Sequence, residues 1–138
     1  MKKLGRTLET STASLTLVEP GFIEQRYRSS ARFCVKSLAE TRKAREKFCS
    51  ERPCVVMVVI PAEVPIESSL ANVDHFRKES GERSILALAV VTDGAMLTSV
   101  SKFYFMYFPQ SFPVKIFERE SDARTWLRQH LGPTGASG

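Results

Sequence analysis

The sequence predicts an α/β fold, in which an N-terminal β-hairpin and one helix are followed by βαβαβα, giving a mixed five-stranded sheet with four helices. Three observations predict it. The runs CVVMVVI (54–60) and ILALAVV (85–91) are continuously apolar, the pattern of strands covered on both faces, as in parallel sheets. Between them Leu70, Val73 and Phe76 recur at helical spacing, which completes a strand–helix–strand unit. Ahead of both, Glu19-Pro20-Gly21 separates two short strand-like segments, with Pro fixing φ and Gly free to take positive φ in a tight turn.

Taken in order, Leu15 and Leu17 alternate with Ser14 and Thr16, and FIEQRYR answers them across the turn as the second arm of an antiparallel hairpin. Ser37 and Glu40 have the spacing of a capping box, so the first helix is expected from about Leu38 to Phe48. A second helix carries Leu70, Val73 and Phe76 after Pro61 and Pro65. PVKIF (113–117) reads as a short strand. SDARTWLRQHL puts Ala123, Trp126, Leu127 and Leu131 on one helical face, with Glu120 and Asp122 near the positive end of its dipole.

The stretch KFYFMYF (102–108) lies between two expected strands. A parallel connection needs a crossover of about a dozen residues or more, usually helical, so a helix is expected from about Met96 to Phe108, ended by Pro109. At about 100° per residue, Val100, Phe103, Tyr104 and Tyr107 share the face that covers the sheet. Phe105 and Met106 then flank Lys102 on the opposite side, where such a helix is ordinarily polar. Fully burying each of these two side chains is worth about 1.5–3 kcal/mol. Lys102, Phe105 and Met106 are therefore the expected contact surface for a protein partner, most simply a second copy.

With 138 residues the chain suits one domain with a real core. Residues 1–11 are expected to be a flexible N-terminus, 12–131 the domain, and the Gly/Pro/Ser-rich 132–138 a disordered tail. Polar and charged residues interrupt the start MKKLGRTLETSTAS, so no export signal is read there. No apolar run approaches the ~20 residues that span a bilayer. Three cysteines, Cys34, Cys49 and Cys54, lack CxxC or Cys/His ligand spacing, which fits free thiols in a reducing compartment, read as bacterial cytoplasm. The net charge of +5 and the run Arg42, Lys43, Arg45, Lys47 and Arg52 raise nucleic acid as a partner. Glu40, Glu46 and Glu51 interrupt that run and no nucleic-acid motif accompanies it, so a solvated basic helix is the reading taken.

Catalytic chemistry is not expected. The histidines, His75 and His130, fall within expected surface helices, and no nucleophile elbow is present. Asp74, Asp93 and Asp122 are scattered and no His-x-x-x-His pair occurs, so neither metal nor cofactor is expected. Gly94 follows a strand and precedes a helix, where an anion can be held, but a dinucleotide fingerprint wants three glycines. A plain turn is the reading taken.

LAETRKAREKF, ALAVVTDGAMLTSVSKFYFMYF, FPVKIF and the ending Phe117, Ala123, Trp126, Leu127 together resemble a small bacterial group of STAS-like proteins of no assigned function. More distantly the chain is similar to the STAS domains of anti-sigma-factor antagonists and of anion transporter tails. The resemblance covers about Thr12 to Leu131 and implies a non-enzymatic interaction or regulatory module, or alternatively a carrier of a small apolar ligand or lipid. In the antagonists a partner kinase phosphorylates a serine in I-D-S-S-G-L. Ile66-Glu67-Ser68-Ser69-Leu70 is the local match, with Glu for Asp and no Gly. The resemblance thus makes Ser68 a candidate phosphoacceptor with Ser69 as alternative, while the residues alone make either an ordinary N-cap.

Overall fold

Six strands, β1 Thr7–Glu9, β2 Ala13–Glu19, β3 Phe22–Tyr27, β4 Cys54–Val59, β5 Ile85–Val91 and β6 Val114–Phe117, lie side by side in the order in which the chain makes them. The computed structural model describes residues 5–28, 35–49, 52–61, 85–107, 110 and 112–131. β1, β2 and β3 pair antiparallel, and β3 through β6 pair parallel. The sheet is therefore mixed, and the fold is α/β as the sequence indicates.

Three helices are described, α1 Val35–Phe48, α2 Ala95–Tyr107 and α3 Glu120–Arg128. Each parallel connection advances across the sheet in the same direction, and right-handed crossovers then put the connecting helices on one face. Accordingly Ala44 and Phe48 of α1 and Phe105 of α2 pack into one cluster with Leu15, Ile23, Val56, Leu88 and Val90. The chain leaves β6 and folds α3 back over the other face. There Ala123 and Leu127 are fully buried against Phe22, Val55, Met57, Ala87 and Ala89. Both faces of β4 and β5 are thus covered, which is why those strands carry no polar alternation.

The sheet has six strands rather than five. Residues 7–9, expected within a flexible N-terminus, form β1 against β2, with Thr7 opposite Thr16 and Glu9 opposite Ser14. Gly5, at φ +79°, donates its N–H to the Leu17 carbonyl at 2.7 Å and so starts the pairing. The first helix begins at Val35, so Ser37 is a buried first-turn residue rather than the N-cap of a capping box. Glu40 instead accepts a hydrogen bond from the Ser11 hydroxyl. The expected helix at Leu70, Val73 and Phe76 and the tail 132–138 lie outside the described residues.

Candidate functional site

The outward side of α2 carries the surface that the sequence singles out, but the helix is rotated from the expected phase. Leu97 is 3% exposed and Phe105, two turns on, packs half-buried against the core. Val100 is 40% exposed and so does not cover the sheet. Leu97, Ser101 and Phe105 therefore define the inward stripe at i, i+4 and i+8, and Phe105 is corrected from a partner-facing residue to a core-facing one. Tyr104 sits beside it, its ring edge-on to Phe105 at 5.1 Å between centroids. Lys102 is exposed and Met106 is 73% exposed. The side chains of Phe103 and Tyr107, and both Ser68 and Ser69, lie outside the described residues.

At the other end of α2, the loop 92–94 carries the chain out of the C-terminal end of β5. Gly94 N–H donates to the Thr92 hydroxyl at 3.3 Å, and the Gly94 carbonyl accepts from Thr98 N–H at 2.9 Å. The glycine thus belongs to the turn that starts the helix. Among the described residues no group of His, Cys, Asp and Glu is placed to hold a metal ion. His130 is half-buried and packs edge-on to Trp126, 4.7 Å between ring centroids.

The carboxylates and guanidiniums at β3 and α3 form one network. Arg26 donates to both oxygens of Glu120, at 3.0 and 2.6 Å, and to Glu24 at 3.0 Å. Arg124 closes the ring by donating to Glu24 at 3.2 Å and Glu120 at 2.9 Å. The hydrogen bonds from Arg26 hold the Glu120 carboxyl below its ordinary value, and the Glu120 partner raises Arg26. The arrangement neutralises its own charges and fastens α3 to the sheet.

A second polar group is buried on the opposite face, beneath α1. Arg45 donates to Gln25 Oε1 at 3.2 Å, and Gln25 Nε2 donates to the Tyr27 hydroxyl at 2.9 Å. Tyr27 lies 3.0 Å from the Thr41 hydroxyl, which in turn donates to the Leu38 carbonyl at 2.9 Å. Since Thr41 spends its proton on Leu38, Tyr27 is the donor to Thr41, and the donors run one way from Arg45 to the helix backbone. Burial pushes the Tyr27 phenol up and the Arg45 guanidinium down. Arg45, read from sequence as part of a solvated basic run, is only 4% exposed. The signal that finds it is the stripe Leu38, Thr41, Arg45, Cys49, spaced three to four residues apart along the inward side of α1. Cys49 and Cys54 are buried and form no disulfide, and Cys34 lies outside the described residues.

Residues 17–131 match the family described as a domain of unknown function (DUF7793). The chain belongs to that family. No curated protein and no solved structure matches it. The DUF7793 span runs from within β2 to three residues past the end of α3, and so contains both polar networks, α2, Cys49 and Cys54. Only β1 and the start of β2 precede it. Among the described residues no helix of this DUF7793 chain is long and apolar enough to cross a membrane.

Proposed function

We propose that this DUF7793 chain is a non-enzymatic interaction module that binds an acidic protein through the outward side of α2. The observation that carries the reading is Met106, a large apolar side chain 73% exposed beside the exposed Lys102. Lys102 is the one charged residue in AMLTSVSKFYFMY, so a partner that covers Met106 meets an ammonium group without a neighbouring carboxylate on the same helix. The net charge of +5 favours an acidic partner over a second copy, which would bring like charge to the contact. The resemblance to STAS-like domains supports a binding role in the same sense. Cys49 and Cys54, buried thiols outside any disulfide, favour a reducing, cytoplasmic setting.

The test begins with capture from source-cell extract on the wild-type domain, followed by purification of the captured protein and measurement of its affinity. Met106→Asp and Lys102→Glu are each expected to weaken binding by about tenfold, and the Lys102 effect is expected to fade at high salt. Equal affinity for wild type and both variants overturns the reading. Self-association that Met106→Asp abolishes makes the partner a second copy. A lipid-sized mass retained in native mass spectrometry makes the domain a carrier instead.

A further inference from the structure

We propose that the outer edge of β6 receives an extended acidic segment of the partner, which pairs antiparallel with it as an added strand. The proposal names the part of the partner that is bound, and for the partner itself it rests on the binding role given above. β6 stands at one edge of the sheet, with no strand beyond it among the described residues. The Pro113 and Phe117 carbonyls accept from Leu88 and Thr92 N–H at 2.9 and 3.0 Å. Backbone groups of a strand alternate between its two neighbours. Lys115 therefore also faces β5, whereas Val114 and Ile116 turn N–H and C=O away from it. Among the described residues no backbone bond is made on that outer side.

The side chains divide between the two faces of the strand. Val114 and Ile116 are half-buried against the cluster that holds Phe105. On the other face Lys115 is exposed, with its ammonium 5.4 Å from the centre of the Phe117 ring. Phe117 is half-buried beside Trp126, 5.6 Å between ring centroids. In strand addition the backbone bonds supply affinity and alternate side chains supply selectivity. An antiparallel segment sets apolar side chains opposite Val114 and Ile116, and a carboxylate opposite Lys115.

Charge decides the occupant. Lysine on an edge strand works against the pairing of like strands. In a two-fold pairing of β6 with a second copy, Val114 opposite Ile116 sets Lys115 against its own counterpart, and like charges directly opposite are unfavourable. A carboxylate at that place makes the same lysine an attractive contact. Glu118 and Arg119, both exposed, offset one another just after the strand, so Lys115 sets the sign at the edge. α2 packs against β6, and one acidic partner can cover Met106 and lay a segment along this edge.

The experiment follows amide resonances and hydrogen exchange of the full chain with a capped peptide of alternating glutamate and valine. Exchange at Val114 and Ile116 is expected to slow by about tenfold, while Lys115 and Phe117, already facing β5, change little. A lysine–valine peptide should bind about tenfold more weakly, with the gap closing at high salt. Methylating the valine nitrogens should abolish binding, since those N–H groups meet the edge. Val114→Pro should abolish it too, because it removes an outward N–H and none that faces β5. Circular dichroism checks that this variant is folded, and where it is not, the methylated peptide decides. Met106→Asp should leave peptide binding unchanged, which separates the edge from the α2 surface. No protection at Val114 and Ile116 with millimolar peptide overturns the proposal, as does equal binding of the methylated peptide. Equal binding of the lysine–valine peptide overturns the acidic assignment. A captured partner that weakens with Met106→Asp but not with Val114→Pro keeps the α2 reading and sinks the edge. A dimer of the free chain that Val114→Pro dissolves puts a second copy there instead.

Discussion

Arg26 and Glu120 meet in a two-pronged ion pair that joins the end of β3 to the first turn of α3. Glu24 and Arg124 complete the ring, and Arg128 reaches Glu19 at 3.2 Å one turn further along the helix. α3 is thus held by apolar contact through Ala123 and Leu127 and by charge along the side facing β3. A short helix gains a fixed direction on the sheet from that second row, because planar guanidinium–carboxylate contacts are directional.

Glu120→Gln is expected to cost about 1 kcal/mol at neutral pH, a figure kept small because the pair is partly exposed and screened by water. The pH dependence has a definite sign. Folding depresses the Glu120 carboxyl, so its contribution is fully present above the unfolded glutamate value of about 4.3 and is lost as pH falls through the lower folded value. Urea unfolding of wild type and variant at neutral and acid pH should show the gap closing below about pH 4. A gap that does not change with pH would show that the ion pair is not its source.

Tyr27→Phe removes the middle member of the buried donor chain and leaves Gln25 without its acceptor and Thr41 without its donor. The expected cost is about 1–3 kcal/mol. Because burial raises the phenol, wild-type stability from this group is complete below the unfolded tyrosine value of about 10 and declines as pH rises above it. Denaturation between neutral pH and about pH 11 should therefore show a steeper alkaline decline in wild type than in Tyr27→Phe.

Gly21→Ala should cost about 1–2 kcal/mol, since the backbone there sits at φ +77°. A Cβ would also come within 3.2 Å of Leu131 Cδ2 and 3.3 Å of the Arg52 guanidinium. Gly5 provides the comparison, with φ +79° and nothing within 4 Å of an added Cβ. Gly5→Ala carries the conformational cost alone. Chemical denaturation that ranks Gly5→Ala as the more damaging change would contradict the crowding at Gly21.

The hairpin, the two apolar strands and α3 are legible in the sequence because their patterns are local. Pro20-Gly21 marks the turn, CVVMVV and ILALAVV mark two-sided burial, and Ala123 with Leu127 marks a buried stripe. β1 is not legible in that way. Thr-Leu-Glu has no strand pattern of its own, and its pairing is started by backbone bonds from Gly5 N–H to the Leu17 carbonyl and from Leu17 N–H to the Arg6 carbonyl. Arg45 misleads for a related reason. Its charge reads as solvated, whereas inside the fold it donates to Gln25, twenty residues earlier in the chain. At the α2 surface, Lys102 and Met106 face outward as expected, but Phe105 does not. Six consecutive large side chains leave the helix phase undetermined until Leu97 sets it.

That phase makes Phe105 and Met106, adjacent in sequence, separable by experiment. Phe105 packs against the core, so Phe105→Ser is expected to destabilise the fold by about 2–4 kcal/mol, in the range of buried large-to-small changes. Leu97→Ala, at the same face two turns earlier, should cost about 2–4 kcal/mol as well. Met106→Ser removes a side chain mostly in water and should change stability by less than about 0.5 kcal/mol. A double change at 105 and 106 would lose binding through unfolding and say nothing about a contact. Met106→Ser or Met106→Asp alone leaves the core intact, so any loss of partner binding belongs to the surface. Thermal melts of the four single variants, read beside their binding, decide: if Met106→Ser destabilises the domain as much as Phe105→Ser, then Met106 is a packing residue and the outward side of α2 loses its claim to the partner.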